Sequence, residues 1–149
     1  MINTDPSNNW VWFKPAEFLV SSTARDERIY NVPADFEVWL NLDRLVKCIL
    51  DPLRDSCGYP ILITSGYRHP ELNRLLGGAK NSQHMTGEAA DIYAGSNTQA
   101  VFNYIKQKFD FDQLIEYMGY AWLHVSLAAD GNNRKEVWHK DRRGVWTKE

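Results

Sequence analysis

The feature that most constrains the fold is a carboxylate inside an apolar run. Asp91 follows Ala89 and Ala90 and precedes Ile92 and Tyr93, and this pattern predicts a β-strand. A carboxylate in such a strand is costly unless a cation or hydrogen-bond donors meet it. The chain must therefore bring to Asp91 an arginine, a set of backbone N–H groups or a metal ion.

Two histidines are candidates to share a metal ion with Asp91. His84 lies seven residues earlier in a predicted loop, and Gly87 can adopt the positive φ that turns this loop back toward the strand. His124 lies in a later strand, on the face it shares with Trp122 and opposite to Leu123 and Val125. A solvated loop histidine and a hydrogen-bonded strand histidine are the alternatives.

Two histidines and a carboxylate are a ligand set that suits a zinc ion with one coordination position open for water. We therefore expect His84, Asp91 and His124 to bind one Zn²⁺. The chain has no C-x-x-C motif, so the sequence does not support a thiolate zinc site.

Length and charge exclude several other classes of protein. The 149 residues predict a single domain, 1–149, which we expect to be a monomer. A net charge of −2 and the absence of a basic stripe disfavour nucleic-acid binding. The first residues do not resemble a signal peptide, and no apolar run is long enough to span a membrane. We expect synthesis in the cytoplasm, with action there or release from the cell by another route, unless a leader has been trimmed.

The order of the predicted elements is typical of an α+β domain. Residues 1–33 are predicted to be an irregular, aromatic-rich segment packed on the domain. A long helix follows Pro33 and is expected to end or kink at Pro52, before a stop at Gly58. The later predictions are strands at 59–65, 88–93, 110–118 and 121–127, helices at 71–76 and 98–109, and a short hairpin around 143–144. We expect a small, mainly antiparallel β-sheet with helices packed against it.

A hairpin register brings Glu116 into the candidate site. If the turn is centred on Tyr120, Glu116 lies directly opposite His124, while Ile115 and Tyr117 face apolar partners. A carboxylate at this position is where a general base for a zinc-bound water would lie. We therefore expect Glu116 to be catalytic, with a surface salt bridge as the alternative.

Four further residues are candidates to contact a substrate. Arg68 ends the first predicted strand, where a guanidinium could stabilise an oxyanion or bind a carboxylate, or form a structural ion pair. Ser82 and Gln83 flank His84 and could hydrogen-bond a peptide, and Trp122 lies beside His124. The remaining histidines, His69 and His139, are expected to be structural or surface residues.

These motifs together resemble the M15 family of zinc peptidases. The pattern Ser82-x-His84-x-x-Gly87-x-Ala89-x-Asp91 is followed by Trp122-x-His124, and Ser65-Gly66-Tyr67-Arg68-x-Pro70 is similar to the family's arginine motif. The resemblance covers about residues 61–127. It implies a hedgehog-like, DD-peptidase-like fold, zinc bound by His84, Asp91 and His124, and an Arg68 that stabilises the transition state.

The resemblance also implies a function. The M15 family contains D-Ala-D-Ala carboxypeptidases, dipeptidases and phage endolysins, so a zinc metallopeptidase that cuts peptidoglycan stem peptides is expected, as a carboxypeptidase or an endopeptidase. Many members carry the catalytic acid three residues before the last histidine, where this chain has Ala121. A non-catalytic, zinc-bearing module that binds cell wall or protein is the alternative.

Overall fold

One six-stranded sheet forms the centre of the structure, a computed structural model that describes residues 9–149. The strand order is β1-β2-β4-β3-β5-β6, and all neighbours are antiparallel except β3 and β5, which are parallel. The strands are β1 Leu62–Ser65, β2 Ala89–Tyr93, β3 Gln113–Tyr117, β4 Trp122–Ser126, β5 Glu136–Lys140 and β6 Trp146–Lys148. The prediction of an α+β fold with a mainly antiparallel sheet is confirmed.

Six α-helices accompany the sheet in the described part of the chain. They are α1 Pro15–Leu19, α2 Ser22–Asp26, α3 Phe36–Leu45, α4 Asp51–Cys57, α5 Pro70–Leu75 and α6 Thr98–Lys108. The prediction of an irregular segment over residues 1–33 is wrong for α1 and α2, and residues 1–8 lie outside the described chain. Phe13 and Phe18 of this segment are buried in the core. None of the described helices is long and apolar enough to cross a membrane.

A π-helical turn allows the long predicted helix to continue past Pro52. This turn, Val46–Leu50, joins α3 to α4, and Pro52 lies in the first turn of α4. Proline has no N–H to donate to the preceding turn, and a π turn at that point absorbs the mismatch. The helix ends as predicted at Gly58, whose φ of 72° is left-handed and whose N–H donates to the Arg54 carbonyl at 3.3 Å.

The two faces of the sheet have different environments. Side chains that alternate along the central strands point into the apolar core, among them Ala90, Ile92, Leu114, Leu123 and Val125. The opposite face carries Asp91, Ile115 and His124, which lie in consecutive strands in the order β2-β4-β3. The pairing of Asp91 with His124 and of His124 with Ile115 places the candidate metal ligands on this second face, away from the core.

The register of β3 and β4 differs from the predicted register by one residue. Tyr117 pairs with Trp122, so Ile115 and not Glu116 lies opposite His124. The turn between the strands contains Met118, Gly119 and Tyr120, which all have positive φ values. Because successive side chains of a strand point to opposite faces, a shift of one residue turns Glu116 away from the face that carries His124.

Candidate metal centre and substrate pocket

The loop that carries His84 is held against a helix by Gly87. The φ of Gly87 is +76°, and a Cβ atom at this position would lie 2.5 Å from the Val38 carbonyl oxygen of α3. A side chain there would therefore meet both a strained backbone and a steric clash. The Glu88 N–H closes the loop by donating to the Gln83 carbonyl at 3.0 Å. This loop geometry turns His84 back onto the sheet, as the sequence predicts.

The three predicted ligands converge on one point. One Asp91 oxygen, Oδ1, lies 3.2 Å from Nε2 of His84 and 3.1 Å from Nδ1 of His124. These three atoms all lie within 4.8 Å of one another, and all three residues are buried. The two imidazole rings meet edge to face with centroids 5.2 Å apart. A rigid pair of strands and a clamped loop thus present two nitrogens and one oxygen to a shared space.

The tautomer of His84 supports the binding of a cation in that space. Nδ1 of His84 lies 2.7 Å from the Gly66 carbonyl oxygen, which can only accept, so Nδ1 carries the hydrogen. In the neutral ring, Nε2 therefore carries a lone pair that points at Oδ1 of Asp91. Both atoms are electron-rich and repel each other, and a cation bound by both would remove this repulsion. A carbonyl that fixes the tautomer of a ligand histidine is typical of zinc sites. The donor set therefore fits Zn²⁺.

The ionisation states of the other two ligands are also suitable. Burial opposes ionisation of Asp91, but the positive charges and hydrogen bonds that His84 and His124 supply in their protonated forms outweigh it and hold the pKa of Asp91 well below its ordinary value. A bound cation would take the place of those charges. Burial lowers the pKa of His124, although Asp91 opposes this effect. A charged carboxylate and a neutral imidazole are the forms that bind a metal ion.

Arg68 is fixed at the edge of this cluster. Its Nη2 lies 3.7 Å from Oδ2 of Asp91, and its Nη1 donates to Oδ1 of Asn73 at 3.3 Å. The backbone N–H of Arg68 also donates to the backbone carbonyl of His84 at 3.0 Å. Gly66 makes this arrangement possible, because a Cβ atom there would lie 2.5 Å from the backbone of Phe18. The guanidinium is thus held beside the metal ligands and lines the adjacent pocket.

A pocket of about 760 Å³ opens over the three ligands. Of the predicted substrate residues, Ser82 and Gln83 line this pocket, whereas Trp122 does not. The Ser82 hydroxyl accepts from the His84 N–H at 3.3 Å. Gln83 donates from Nε2 to Asp112 at 2.8 Å, while its Oε1 is buried without a hydrogen-bond partner among the described residues. Because the carboxylate of Asp112 can only accept, this hydrogen bond fixes the orientation of the Gln83 amide.

Several pocket residues were not predicted from the sequence. The pocket is also lined by Gln113, Ile115, Tyr117, Arg134, Trp138 and Trp146. The first three alternate along β3, so the correct hairpin register would have found them. The two tryptophans come from β5 and β6, whose position depends on the parallel pairing of β5 with β3. The sequence has no short-range signal for that pairing.

Tyr117 is held rigidly at the pocket wall. Its ring stacks on Trp122 with centroids 4.8 Å apart and an interplanar angle of 10°, and Trp146 meets it edge to face at 5.9 Å. Burial raises the pKa of Tyr117 to about 12, with a further contribution from the negative charge of Asp91 that Arg68 opposes. The hydroxyl therefore stays protonated at neutral pH. Trp122 thus contacts the Tyr117 ring and does not itself line the pocket.

The structure does not support the general-base role expected for Glu116. The Glu116 carboxylate is buried on the other face of the sheet, where it accepts from the Tyr120 N–H at 2.9 Å and lies 3.0 Å from Nδ1 of His139. It does not line the pocket. Among the residues from 9 to 149, Asp91 is the one carboxylate in the pocket lining. Glu116 stabilises the hairpin turn and connects β3 to β5.

Comparison with known proteins identifies relatives of this chain. Residues 11–126 match the model of a peptidase family described as Peptidase M15. The zinc D-Ala-D-Ala carboxypeptidase of Streptomyces albus G is 46% identical over 48 residues, which cover 32% of this chain and 19% of that protein. The aligned segment thus spans about a fifth of the length of this curated relative.

Proposed function

Because the chain belongs to the M15 peptidase family, we propose that it is a zinc-dependent peptidase that hydrolyses peptide bonds in peptidoglycan stem peptides, as a D-Ala-D-Ala carboxypeptidase does. The observation that carries this proposal is the convergence of two histidine nitrogens and one Asp91 oxygen at the floor of an open pocket. The local similarity to a zinc D-Ala-D-Ala carboxypeptidase supports the choice of substrate.

The proposed metal ligands are His84, Asp91 and His124. A zinc ion held by three protein ligands supplies a Lewis acid and lowers the pKa of a bound water. The protein's part is to keep the ligands in their binding forms. The Gly66 carbonyl fixes the tautomer of His84, and the buried environment keeps His124 neutral.

The pocket residues are proposed to bind and orient the peptide. Arg68 provides a fixed positive charge beside the ligands, suited to a terminal carboxylate or to negative charge that develops on the scissile carbonyl. Gln83 lines the same pocket, and its amide, oriented by Asp112, is suited to hydrogen-bond the peptide. Ser82 lines the same wall and keeps the His84 loop in place.

Mass spectrometry of digested peptidoglycan tests the proposal. Zinc-loaded wild-type protein should shorten stem peptides, and the mass lost distinguishes release of terminal D-Ala from cleavage of an internal bond. His84→Ala is the matched control, and it should lose both zinc and activity, because two ligands hold zinc poorly. Undiminished zinc in His84→Ala, or intact stem peptides with the zinc-loaded wild type, would contradict the proposal.

One observation favours a second candidate function, a non-catalytic module that binds peptide at a zinc site. The chain has Ala121 where many M15 members carry an acid, and no carboxylate other than Asp91 lines the pocket in the part of the chain that the structure describes. A general base contributes roughly 10²–10⁴ to the rate. Stem peptides that bind to the zinc-loaded protein and stay intact would establish this alternative.

A further inference from the structure

Tyr117 lies on the side of the site where the usual acid is absent. The carbonyl of Tyr117 accepts from the N–H of Ala121 at 2.8 Å, so the two residues are directly connected across the hairpin turn. Ala121 carries no group that can exchange or share a proton. Any polar contact between substrate and protein on this side must therefore come from a neighbouring side chain that faces the pocket.

The position of Tyr117 in the sheet places its side chain on the face that carries the proposed metal ligands. His124 pairs with Ile115, and Tyr117 is two residues further along β3 on the same face. Such diagonal neighbours lie within reach of an aromatic side chain. The phenol lines the same pocket as His84, Asp91 and Arg68, and the charges of both Asp91 and Arg68 act on it.

The chemistry of a rigid, protonated phenol is that of a hydrogen-bond donor. Trp122 and Trp146 hold the ring by stacking and edge contacts. The ring therefore loses little conformational entropy when the hydroxyl binds a ligand. A preorganised donor aimed at developing negative charge is among the strongest contributions a protein makes to catalysis. Because the phenol remains neutral, it is suited to donate to an oxyanion and is not suited to abstract a proton from water.

We propose that Tyr117 is a catalytic residue whose hydroxyl donates a hydrogen bond to the carbonyl oxygen of the scissile bond, opposite Arg68, as negative charge develops on that oxygen. This inference rests on the proposed peptidase function. It assigns to β3 a substrate contact that depends on the hairpin register: with the predicted register, Tyr117 would face the core and Glu116 the pocket.

Tyr117→Phe tests the proposal because it removes the hydroxyl and keeps the stacked ring. The expected result on a synthetic stem peptide ending in D-Ala-D-Ala is a fall in kcat on the order of 10²-fold, with KM changed less than about twofold, since uniform binding is unaffected. Zinc content should equal that of the wild type. Calorimetry with a phosphinate peptide, which mimics the tetrahedral intermediate, should show a loss of affinity similar to the loss in kcat.

Tyr93→Phe is the control. Tyr93 lies on the same face of β2 as Asp91 but does not line the pocket, so this variant should have the kcat and the phosphinate affinity of the wild type. An unchanged kcat in Tyr117→Phe would overturn the proposal. If the wild type cleaves no stem peptide, the proposed function fails and phosphinate affinity decides: weaker binding by Tyr117→Phe supports the donor role, whereas equal binding, or no binding by the wild type, refutes it.

Discussion

At the scale of single residues, Ala121 is the position where a small change has the largest expected effect. It is exposed immediately before β4, and its N–H donates to the Tyr117 carbonyl. Because Ala121 is exposed, a longer side chain there would disturb no buried contact. A carboxylate can therefore be added at this position next to Tyr117, which lines the pocket.

We predict that Ala121→Glu raises the rate of stem-peptide hydrolysis by about 10²-fold, because a positioned carboxylate adds general acid–base catalysis. The measurement is kcat of the zinc-loaded variant. Ala121→Gln has the same length without the ionisable group and should stay at the wild-type rate. A gain of equal size in Ala121→Gln would show that the effect is one of packing or binding.

The proposed metal ligands could be chosen from single residues, whereas the orientation of Glu116 could not be predicted in this way. Asp91 in an apolar strand requires a cation or hydrogen-bond donors whatever the fold, and His84 and His124 have the chemistry to share a cation with it. The facing of Glu116 depends instead on the length of a turn. Met118 and Tyr120 have positive φ although neither is glycine, and the sequence gives no indication of this geometry.

At the scale of elements, the conformation of the loop between α5 and β2 depends on its close contact with α3. Gly87 combines a positive φ with a backbone oxygen 2.5 Å from the position of a Cβ atom. Gly58, at the end of α4, also has a positive φ, of 72°, but no atom lies within 4 Å of its Cβ position. Alanine at Gly58 would therefore cause backbone strain alone, whereas alanine at Gly87 would cause both backbone strain and a steric clash.

We predict that Gly87→Ala lowers the free energy of unfolding by more than about 2 kcal/mol, whereas Gly58→Ala costs about 1 kcal/mol. The larger loss arises because the Val38 carbonyl must move as well. Urea denaturation measures both values, and zinc affinity should weaken in Gly87→Ala alone. Equal losses in the two variants would indicate that the contact with Val38 relaxes without cost.

A second element-scale contact joins β3 to the end of the chain. His139 of β5 lies 3.0 Å from Glu116 and 2.8 Å from Glu149. Burial lowers the pKa of His139, but hydrogen bonds with Glu149 and Glu116, together with their charges, outweigh burial and raise it above 6.5. A raised pKa contributes stability that is complete below the unfolded value and is lost as pH rises through the folded value.

We predict that Glu116→Gln lowers the free energy of unfolding by about 1 kcal/mol near pH 5.5 and by less near pH 8.5. The charged pair with His139 is present at the lower pH and absent at the higher. Zinc content and kcat should be unchanged, since Glu116 does not line the pocket. Loss of kcat with intact stability would return Glu116 to a catalytic role.

Helices and strands follow local patterns, and the sequence therefore predicts most of them. Apolar periodicity predicts α6 and the long helix, an apolar run predicts β2, and alternation predicts β4. The π-helical turn before Pro52 could not be predicted, because the sequence pattern is equally compatible with a helix that ends there. The short helices α1 and α2 have five residues each, too few for a periodic signal.

At the scale of the whole molecule, we expect metal binding at the proposed site to be coupled to folding. The three ligands come from the loop after α5, from β2 and from β4, so the site exists only when the sheet has formed. A ligand that binds only the folded state stabilises it, by about 2.7 kcal/mol when its free concentration is a hundred times Kd. Apparent stability should therefore depend on zinc.

We predict that a chelator lowers the Tm of the wild type and that added zinc restores it, while the Tm of His84→Ala responds to neither. The zinc-dependent part of the shift should shrink as pH falls, because protons compete for the histidine nitrogens. Differential scanning calorimetry at several pH values measures both effects. A Tm that is independent of zinc would exclude a site shared between these elements.

The order of strands in the sheet is the part of the fold that the sequence predicted least. Hairpins such as β3–β4 and β5–β6 are local, but the parallel pairing of β3 with β5 joins segments that no tight turn connects. Choice of a distant partner depends on the whole set of buried faces. For this reason the sequence predicts only a short hairpin around 143–144 in this region and does not place Trp138 and Trp146 in the pocket.

The match to the family ends at residue 126, before β5 and β6 begin. All three proposed zinc ligands lie inside the matched part, while Trp138 and Trp146 come from beyond it and form part of the pocket lining. The molecule thus separates a floor, which carries the proposed ligands and lies within the family match, from a wall that is attached along one sheet edge and lies outside it. We expect that exchange of the β5–β6 hairpin would change the preference for a peptide and leave the proposed ligands in place.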